Sequence, residues 1–292
     1  MSSSAGLTDP AFIRRLESLS LLARRVLGGK LQADRRTNRK GMGVQFADYA
    51  EYNIGDDHRA IDWRVFGRLE QLIIKLFELE EDMTLVVLLD TSRSMASKLD
   101  HAKRLAAALA YIALQGLDQV VVYGLSDKLQ TIVEPCHGRA KLLPMLRAID
   151  TAESSGVDSD FDACCRTLQA RHRRRAMVLP VSDFLFPTGF ERGLGLLRYS
   201  NHEVFCLQVQ DDADRRCDLR GDADLECVET GQRRRVTITP TEAAAYERAV
   251  QDWNESLRTA CVRAGTGLVS TTTDIAFDDI IQRILRRGGL VA

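Results

Sequence analysis

The stretch VVLLDTSRSM, residues 86–95, decides the fold, because a continuous apolar run ends there in an aspartate and several hydroxyl side chains. The short apolar run that begins at Met83 has the composition of a strand covered on both faces. Such strands are typical of mainly parallel sheets, in which ligands bind beyond the carboxyl ends of the strands. Asp90 lies at this end, and Ser92 and Ser94 follow it at alternate positions.

Strands and helices alternate along the rest of the chain. A further buried strand is predicted at 176–183 and other strands at 119–126, 129–135, 203–209 and 267–274, with helices at 98–115, 139–149, 160–172, 188–199, 240–264 and 276–287. The alternation predicts an α/β fold, with a mainly parallel sheet and helices on both faces. A polar stretch at about 211–239, with strand-like runs around Thr230-Gly231, indicates an inserted β-hairpin.

We expect the chain to have two parts. Residues 1–82 contain a helix at 10–28, an irregular segment with short extended pieces and a strand in QLIIKLFELEED, and are expected to pack on the main domain. Residues 83–292 form that main domain with its hairpin insertion.

Composition excludes several classes of protein. A net charge of −1 over 292 residues gives no global field that would attract nucleic acid or an anionic membrane. No apolar run approaches the roughly 20 residues of a membrane-spanning helix, and the first residues have no signal-peptide pattern. The seven cysteines form no Cys-x-x-Cys pair, and the five histidines share no zinc-ligand spacing. We therefore expect a reduced, cytoplasmic protein; peripheral attachment to a membrane complex stays open.

Oxygen-bearing side chains gather at the predicted strand ends. Asp90, Ser92 and Ser94 follow the first strand, and Ser182 and Asp183 end the strand at 176–183. Hard oxygen donors of this kind suit Mg²⁺, Mn²⁺ or Ca²⁺ better than zinc or copper. The alternative interpretation is that the Asp, Thr and Ser residues at these strand ends cap helices, which is their usual role in strand-to-helix loops.

A third loop could add to this set. Asp158, Ser159 and Asp160 lie in the loop that precedes the helix predicted at 160–172. The occurrence of oxygen-rich loops at several strand ends favours a metal site over capping alone, because the carboxyl ends of parallel strands meet at one edge of the sheet.

The sequence resembles the von Willebrand factor A fold at these residues. Asp90, Ser92 and Ser94 match the Asp-x-Ser-x-Ser motif that opens the family's metal-ion-dependent adhesion site. The resemblance implies that Ser159 stands at the family's threonine ligand, and that Asp183 matches its last ligand. Asp160 and Ser182 would support these ligands from behind.

The segment upstream of the motif narrows the resemblance. RKGMGVQFADYAEYNIGDDHRAIDWRVFGRLEQLIIKLFELEED, residues 39–82, resembles the hallmark of the bacterial domain-of-unknown-function family 58. That resemblance implies a MoxR-type AAA+ ATPase as partner and a chaperone-like role in assembling or activating client proteins.

Part of this hallmark segment has two interpretations. Its turn and charged residues could form a packing clamp on the main domain or a surface for a partner. The residues concerned are Gly55, Asp56, Asp57, Arg59, Asp62 and Trp63.

Three functions from different classes are compatible with the sequence. The first is a metal-dependent protein-interaction module that has no catalytic residues. The second is a divalent-metal-dependent hydrolase, but no general base, nucleophile elbow or phosphate-binding loop is placed beside the site. The third is nucleic-acid binding through the basic runs at 171–175 and 233–235, which lack interleaved aromatic residues. We expect the first, and no enzyme activity.

Overall fold

The computed structural model divides the chain into two compact units, which are described separately. The larger unit contains Met1–Ala23 and Met83–Ala292, and the smaller contains Arg24–Asp82. The start of the chain therefore belongs to the larger unit, whereas the sequence analysis grouped it with the segment up to residue 82. The structure describes residues 6–27, 36–40, 45–53, 58–80, 83–116, 119–154, 159–228 and 231–286.

The first helix, α1 (Pro10–Leu27), joins the larger unit through its apolar stripe. Leu16 and Leu19 are buried. The ring of Phe12 lies 5.0 Å from that of Phe277, measured between centroids. Because this apolar stripe is buried in the larger unit, residues 10–23 of the helix belong to that unit and not with the segment that follows them in the sequence.

The smaller unit is built around an antiparallel sheet. Its elements are β1 (Arg36–Lys40), β2 (Gln45–Glu51), α2 (Trp63–Leu69) and β3 (Ile73–Glu80). β3 lies between β1 and β2. The strand predicted in QLIIKLFELEED is confirmed, and Ile74 within it is fully buried.

The larger unit continues from β4 in regular alternation. Its strands are β4 (Thr84–Asp90), β5 (Gln119–Leu125), β6 (Leu129–Cys136), β7 (Ala176–Ser182), β8 (Glu203–Gln210), β9 (Gly221–Glu226), β10 (Arg233–Ile238) and β11 (Gly267–Thr272). Its helices are α3 (Leu99–Gln115), α4 (Leu142–Asp150), α5 (Phe161–Arg171), α6 (Glu191–Tyr199), α7 (Asp212–Arg215), α8 (Pro240–Ala264) and α9 (Phe277–Arg286).

Within the described residues, the central sheet has six strands in the order β11-β8-β7-β4-β5-β6. Every neighbouring pair is parallel except β5 and β6. Counted along the chain within this sheet, the order is 3-2-1-4-5-6, the doubly wound arrangement. The predicted von Willebrand A-like α/β class is confirmed. The order reverses between β4 and β7, so a crevice is expected beyond their carboxyl ends.

Helices cover both faces of this sheet. α3 packs against β4 and β5, and it also contacts α4 and α9. The other face carries α5, α6 and α8, whose apolar residues share a core with Val86 and Leu88. β4 is buried along almost its whole length, as the continuous apolar run predicts.

The predicted hairpin insertion is an antiparallel pair formed by β9 and β10. Its residues are mostly exposed, and Ile238 is the member of the pair that is buried. α7 precedes the pair, and α8 follows it directly. We call α7, β9 and β10 together the hairpin arm.

Candidate functional site

Asp90 lies at the carboxyl end of β4 and is 1% exposed. Its Oδ1 accepts a hydrogen bond of 3.0 Å from the backbone N–H of Ser92. Its Oδ2 accepts a hydrogen bond from the hydroxyl of Ser182, at the end of β7. The carboxylate therefore joins the two strands between which the sheet order reverses, where a ligand crevice is expected.

The hydroxyls of Ser92 and Ser94 lie side by side. Their Oγ atoms are 3.0 Å apart. Two neighbouring ligands of an octahedral Mg²⁺ ion, each about 2.1 Å from the metal, would be separated by about 3.0 Å. The two hydroxyls are within hydrogen-bond distance of each other, and the same spacing would also suit two neighbouring ligands of such an ion.

The loop before α5 meets the loops that follow β4 and β5. The backbone N–H of Asp160 donates to the carbonyl of Ser126 at 3.2 Å, and that of Thr91 donates to Leu125 at 2.9 Å. The neighbouring Ser159 is 7% exposed, and its buried hydroxyl has no hydrogen-bond partner among the described residues. A buried hydroxyl without a partner is unfavourable unless a ligand or water satisfies it.

Asp160 caps a helix. Its Oδ1 accepts from the backbone N–H of Ala163 at 2.9 Å, which is the capping role weighed in the sequence analysis. Asp158, in the same loop, lies outside the described residues.

Asp183, the predicted ligand at the end of β7, is already paired with a cation. The ammonium group of Lys98 lies 2.7 Å from its Oδ2 and 2.7 Å from Oδ2 of Asp214. Lys98 and Asp183 are 1% and 2% exposed. Burial lowers the pKa of Lys98, but attraction to Asp183 and hydrogen bonds to both carboxylates outweigh it and raise that pKa above its usual value. Lys98 is therefore protonated at neutral pH.

Negative charge at Asp90 remains poorly compensated. Burial, and then the charge of Asp183, raise the pKa of Asp90 to about 6, although hydrogen bonds from Ser182 and Ser92 oppose the rise. A carboxylate that resists ionisation in a buried site is one that a bound cation would stabilise.

A left-handed residue shapes the strand end. Phe184 follows Asp183 with φ 62°, a conformation that a bulky residue rarely adopts. This turn allows its N–H to donate to the Ser182 hydroxyl at 2.9 Å. Its buried ring packs edge-on against Phe161 and Phe186. Packing thus maintains a strained backbone that orients Ser182 toward Asp90, as often occurs at functional sites.

These residues fit a hard divalent cation in part. Asp90, Ser92 and Ser94 have the donor chemistry and spacing, and the unpartnered hydroxyl of Ser159 fits a further ligand. Asp183 could take part only in exchange with Lys98. Within the described chain, no three His, Cys, Asp or Glu side chains are grouped to hold a metal ion, so an ion here would depend on hydroxyls and water.

The predicted clamp or partner segment is only partly described. Gly55, Asp56 and Asp57 lie outside the described residues. Arg59 is exposed in a short 3-10 helix, and the buried carboxylate of Asp62 caps α2 by accepting from the N–H of Arg64 at 3.0 Å.

Trp63, at the start of α2, is 61% exposed, and α2 has no buried residue although all of it is described. Its ring packs edge-on against Phe66 of the same helix, 6.1 Å away between centroids. Packing clamp and partner surface both stay predictions for this segment.

The basic runs engage in local interactions. Arg233 pairs with Glu226 at 2.8 Å, and Arg235 lies opposite Asp224 across the β9–β10 pair. Arg175 pairs with Glu203, and the guanidinium carbon of Arg171 lies 5.5 Å from the ring centroid of Tyr123. Arg175 and Arg233 are thus paired with carboxylates within the chain.

Sequence reasoning missed Lys98 and Asp214. A single lysine before a helix carries no signal of burial, and the ion pair joins positions 116 residues apart. Asp214 did have a local signal, because Asp211-x-x-Asp214 is a capping box that begins α7. Reading that pattern would have placed a helix turn ahead of the hairpin.

Comparison with known protein families gives a match. The model of the family described as "Protein of unknown function DUF58" matches residues 48–256. The chain belongs to this family. The DUF58 resemblance drawn from the sequence is thereby confirmed, whereas association with an ATPase is a separate question. The uncharacterized protein Rv1480 of Mycobacterium tuberculosis is 28% identical over 293 residues, covering 97% of this DUF58 chain and 92% of the relative.

Solved structures give more distant likenesses of this DUF58 protein. The conserved hypothetical protein BatB from Bacteroides thetaiotaomicron has 13% identity and a TM-score of 0.47, over 71% of this chain and 98% of that one. Proximal thread matrix protein 1 from mussel byssus, with a zinc occupied MIDAS motif, has 12% identity and a TM-score of 0.42, over 70% and 45%. The candidate site rests on this chain's own residues.

None of the helices in the described part of the chain is long and apolar enough to span a membrane.

The pKa of Asp90 has a measurable consequence for stability. Because its folded value of about 6 exceeds the ordinary 3.8, the folded state holds the proton more tightly than the unfolded state. In buffer free of divalent ions, stability should therefore fall as pH rises from about 4 to about 6, by on the order of 3 kcal/mol.

Urea unfolding of the wild type and of Asp90→Asn over this pH range would isolate this contribution. We expect the variant to gain stability relative to the wild type as pH rises. A pH-independent difference between the two proteins would contradict the assigned pKa.

Proposed function

We propose that this DUF58 protein is a divalent-ion-dependent protein-interaction module that works with a MoxR-type AAA+ ATPase in the chaperone-like assembly or activation of client proteins. The observation that supports the ion site is the pair of Ser92 and Ser94 hydroxyl oxygens, 3.0 Å apart beside the buried Asp90. The proposal of an ATPase partner rests on the resemblance of the hallmark segment alone.

In this proposal, each residue has a defined task. Ser92, Ser94 and Ser159 offer neutral hydroxyl oxygens, and Asp90 supplies the principal negative charge. Ser182 orients Asp90 by donating to its Oδ2. When bound, Mg²⁺ or Mn²⁺ would supply a coordination position that an acidic residue of a partner can complete. Few charged ligands imply weak binding in isolation and tighter binding with the partner's carboxylate.

Binding rather than hydrolysis is proposed because the sequence places no general base, nucleophile elbow or phosphate-binding loop beside the site. Turnover of phosphoester substrates by the wild type, lost in Asp90→Ala, would support hydrolysis instead.

The first test is ion binding to the isolated protein. At a Mg²⁺ or Mn²⁺ concentration tenfold above Kd, binding should stabilise the wild type by about 1.4 kcal/mol. That corresponds to a rise in Tm of about 3 °C. Ser92→Ala should lose the shift, whereas Ser200→Ala should keep it, because Ser200 lies near the amino end of β8, away from the site. Equal shifts in all three proteins would contradict the site.

The second test addresses the partner. The tagged protein should capture an AAA+ ATPase from its native organism in buffer with Mg²⁺, and lose it in chelator or when Ser92 is replaced by alanine. If the ATPase is captured equally well in chelator and by the Ser92→Ala protein, then binding of this partner does not depend on the ion.

A further inference from the structure

A buried ion triad connects the candidate ion site to the hairpin arm. Lys98 is 1% exposed, and its ammonium group contacts both Asp183 and Asp214 at 2.7 Å. Lys98 ends the same loop that carries Ser92 and Ser94. Asp183 belongs to the end of β7, and Asp214 belongs to α7, the first element of the arm. One cation therefore holds three separate parts of the chain together.

α7 is attached to this loop by more than the triad. The hydroxyl of Ser97 donates to Oδ2 of Asp211 at 2.7 Å. Asp211 and Asp214 also bond each other's backbone N–H groups in a capping box. On its other side, the hydroxyl of Tyr246 in α8 donates to the carbonyl of Asp214 at 2.9 Å. Consecutive residues 97 and 98 thus fix both ends of the turn that leads into the arm.

Lys98 holds an oxygen of Asp183, the residue that the von Willebrand A resemblance matches to the last ligand of the ion. Its ammonium holds Oδ2 of Asp183, while Oδ1 accepts from the N–H of Leu185 at 3.0 Å. A divalent ion that recruits Asp183 must share or displace this ammonium, because two cations on one buried carboxylate repel each other. Displacement would also remove the cation from Asp214 and so weaken the attachment of α7.

We propose that Lys98 is an internal competitor of the divalent ion. It holds Asp183 in the ion-free state, lowers the affinity of the site, and transmits ion occupancy to the hairpin arm through Asp214. This inference rests on the proposed function, since it requires that the site binds an ion. The position and mobility of the hairpin arm, which lies next to the site, then depend on whether the ion is bound.

The first experiment compares ion affinity in the wild type and in Lys98→Met, which keeps the length of the side chain without its charge. Titration calorimetry with MgCl₂ and with MnCl₂ should give at least tenfold tighter binding to the variant. Lys128→Met removes an exposed lysine and should bind as the wild type does. Equal affinities in all three proteins would overturn the competition.

The second experiment needs no change at Lys98, so it stands even if that variant folds poorly. Amide hydrogen exchange of the wild type should become faster when saturating Mg²⁺ is added. The faster exchange is expected in α7 and at the end of the β9–β10 pair where Gly221 lies opposite Ile238. Asp214→Asn should show the faster exchange without the ion. Exchange in the arm that is unchanged by Mg²⁺, in a protein that binds Mg²⁺, would overturn the coupling.

The two levels of proposal fail differently. If neither the wild type nor Lys98→Met binds a divalent ion, the proposed function fails and the competitor role fails with it. If the wild type binds the ion through Ser92, but Lys98→Met has the same affinity and the arm does not respond, only the role of Lys98 is lost.

Discussion

Replacement of Lys98 by methionine is expected to destabilise the ion-free protein by about 3–5 kcal/mol, because it leaves Asp183 buried without its cation. Asp214 is 19% exposed and can turn to water, so Asp183, at 2% exposure, accounts for most of the loss. Urea unfolding in the presence of chelator measures this loss.

The matched control is Lys128→Met, which removes an exposed charge. It should change the free energy of unfolding by no more than about 0.5 kcal/mol. A similar small change in Lys98→Met would show that the ion pair contributes little beyond the cost of burying its charges. Asp214→Asn should fall between the two variants.

Replacement of Phe161 by alanine is expected to cost about 3–5 kcal/mol, because the side chain is fully buried and its loss leaves a cavity. Its ring stacks on Phe186 with centroids 5.1 Å apart and meets Phe184 edge-on. It also fills the space beside Gly193, where an added Cβ would lie 2.5 Å from Cδ1 of Phe161. The neighbouring side chains therefore have little room to move into the cavity unless the backbone also moves.

Phe161 follows the Ser159–Asp160 loop directly, so this variant should also weaken ion binding if Ser159 is a ligand. The control is Leu185→Ala, which truncates a side chain that is 45% exposed beside the same cluster. It should lower the free energy of unfolding by less than about 1 kcal/mol. Equal effects of the two changes would contradict the conclusion that packing of Phe161, Phe184 and Phe186 maintains the backbone at the end of β7.

The strand ends were predictable because their signals are local. The apolar run of β4 ends at a charged residue, and the topology of a doubly wound sheet then determines where Asp90 and Ser182 meet. The pairing of β4 with β7 follows from the same order. Ser92 and Ser94 needed only their two-residue spacing to be placed next to each other.

The electrostatics of the site were not predictable in the same way. Whether Asp183 faces water, an ion or an ammonium group depends on a lysine whose partners lie 85 and 116 residues away in the sequence. The short helix that provides Asp214 has four residues, too few for a hydrophobic period to reveal it. Likewise, α1 joins the larger unit because its apolar residues pack against residues far away in the sequence, such as Phe277.

The β9–β10 pair has a consequence for how this protein can change over evolution. Its strands are mostly exposed and place Arg233 opposite Glu226 and Arg235 opposite Asp224, and Ile238 is their buried apolar residue. Substitutions at the exposed positions of β9 and β10 should therefore leave the scaffold intact. The surface of the pair can therefore vary with little penalty to folding of the parent domain.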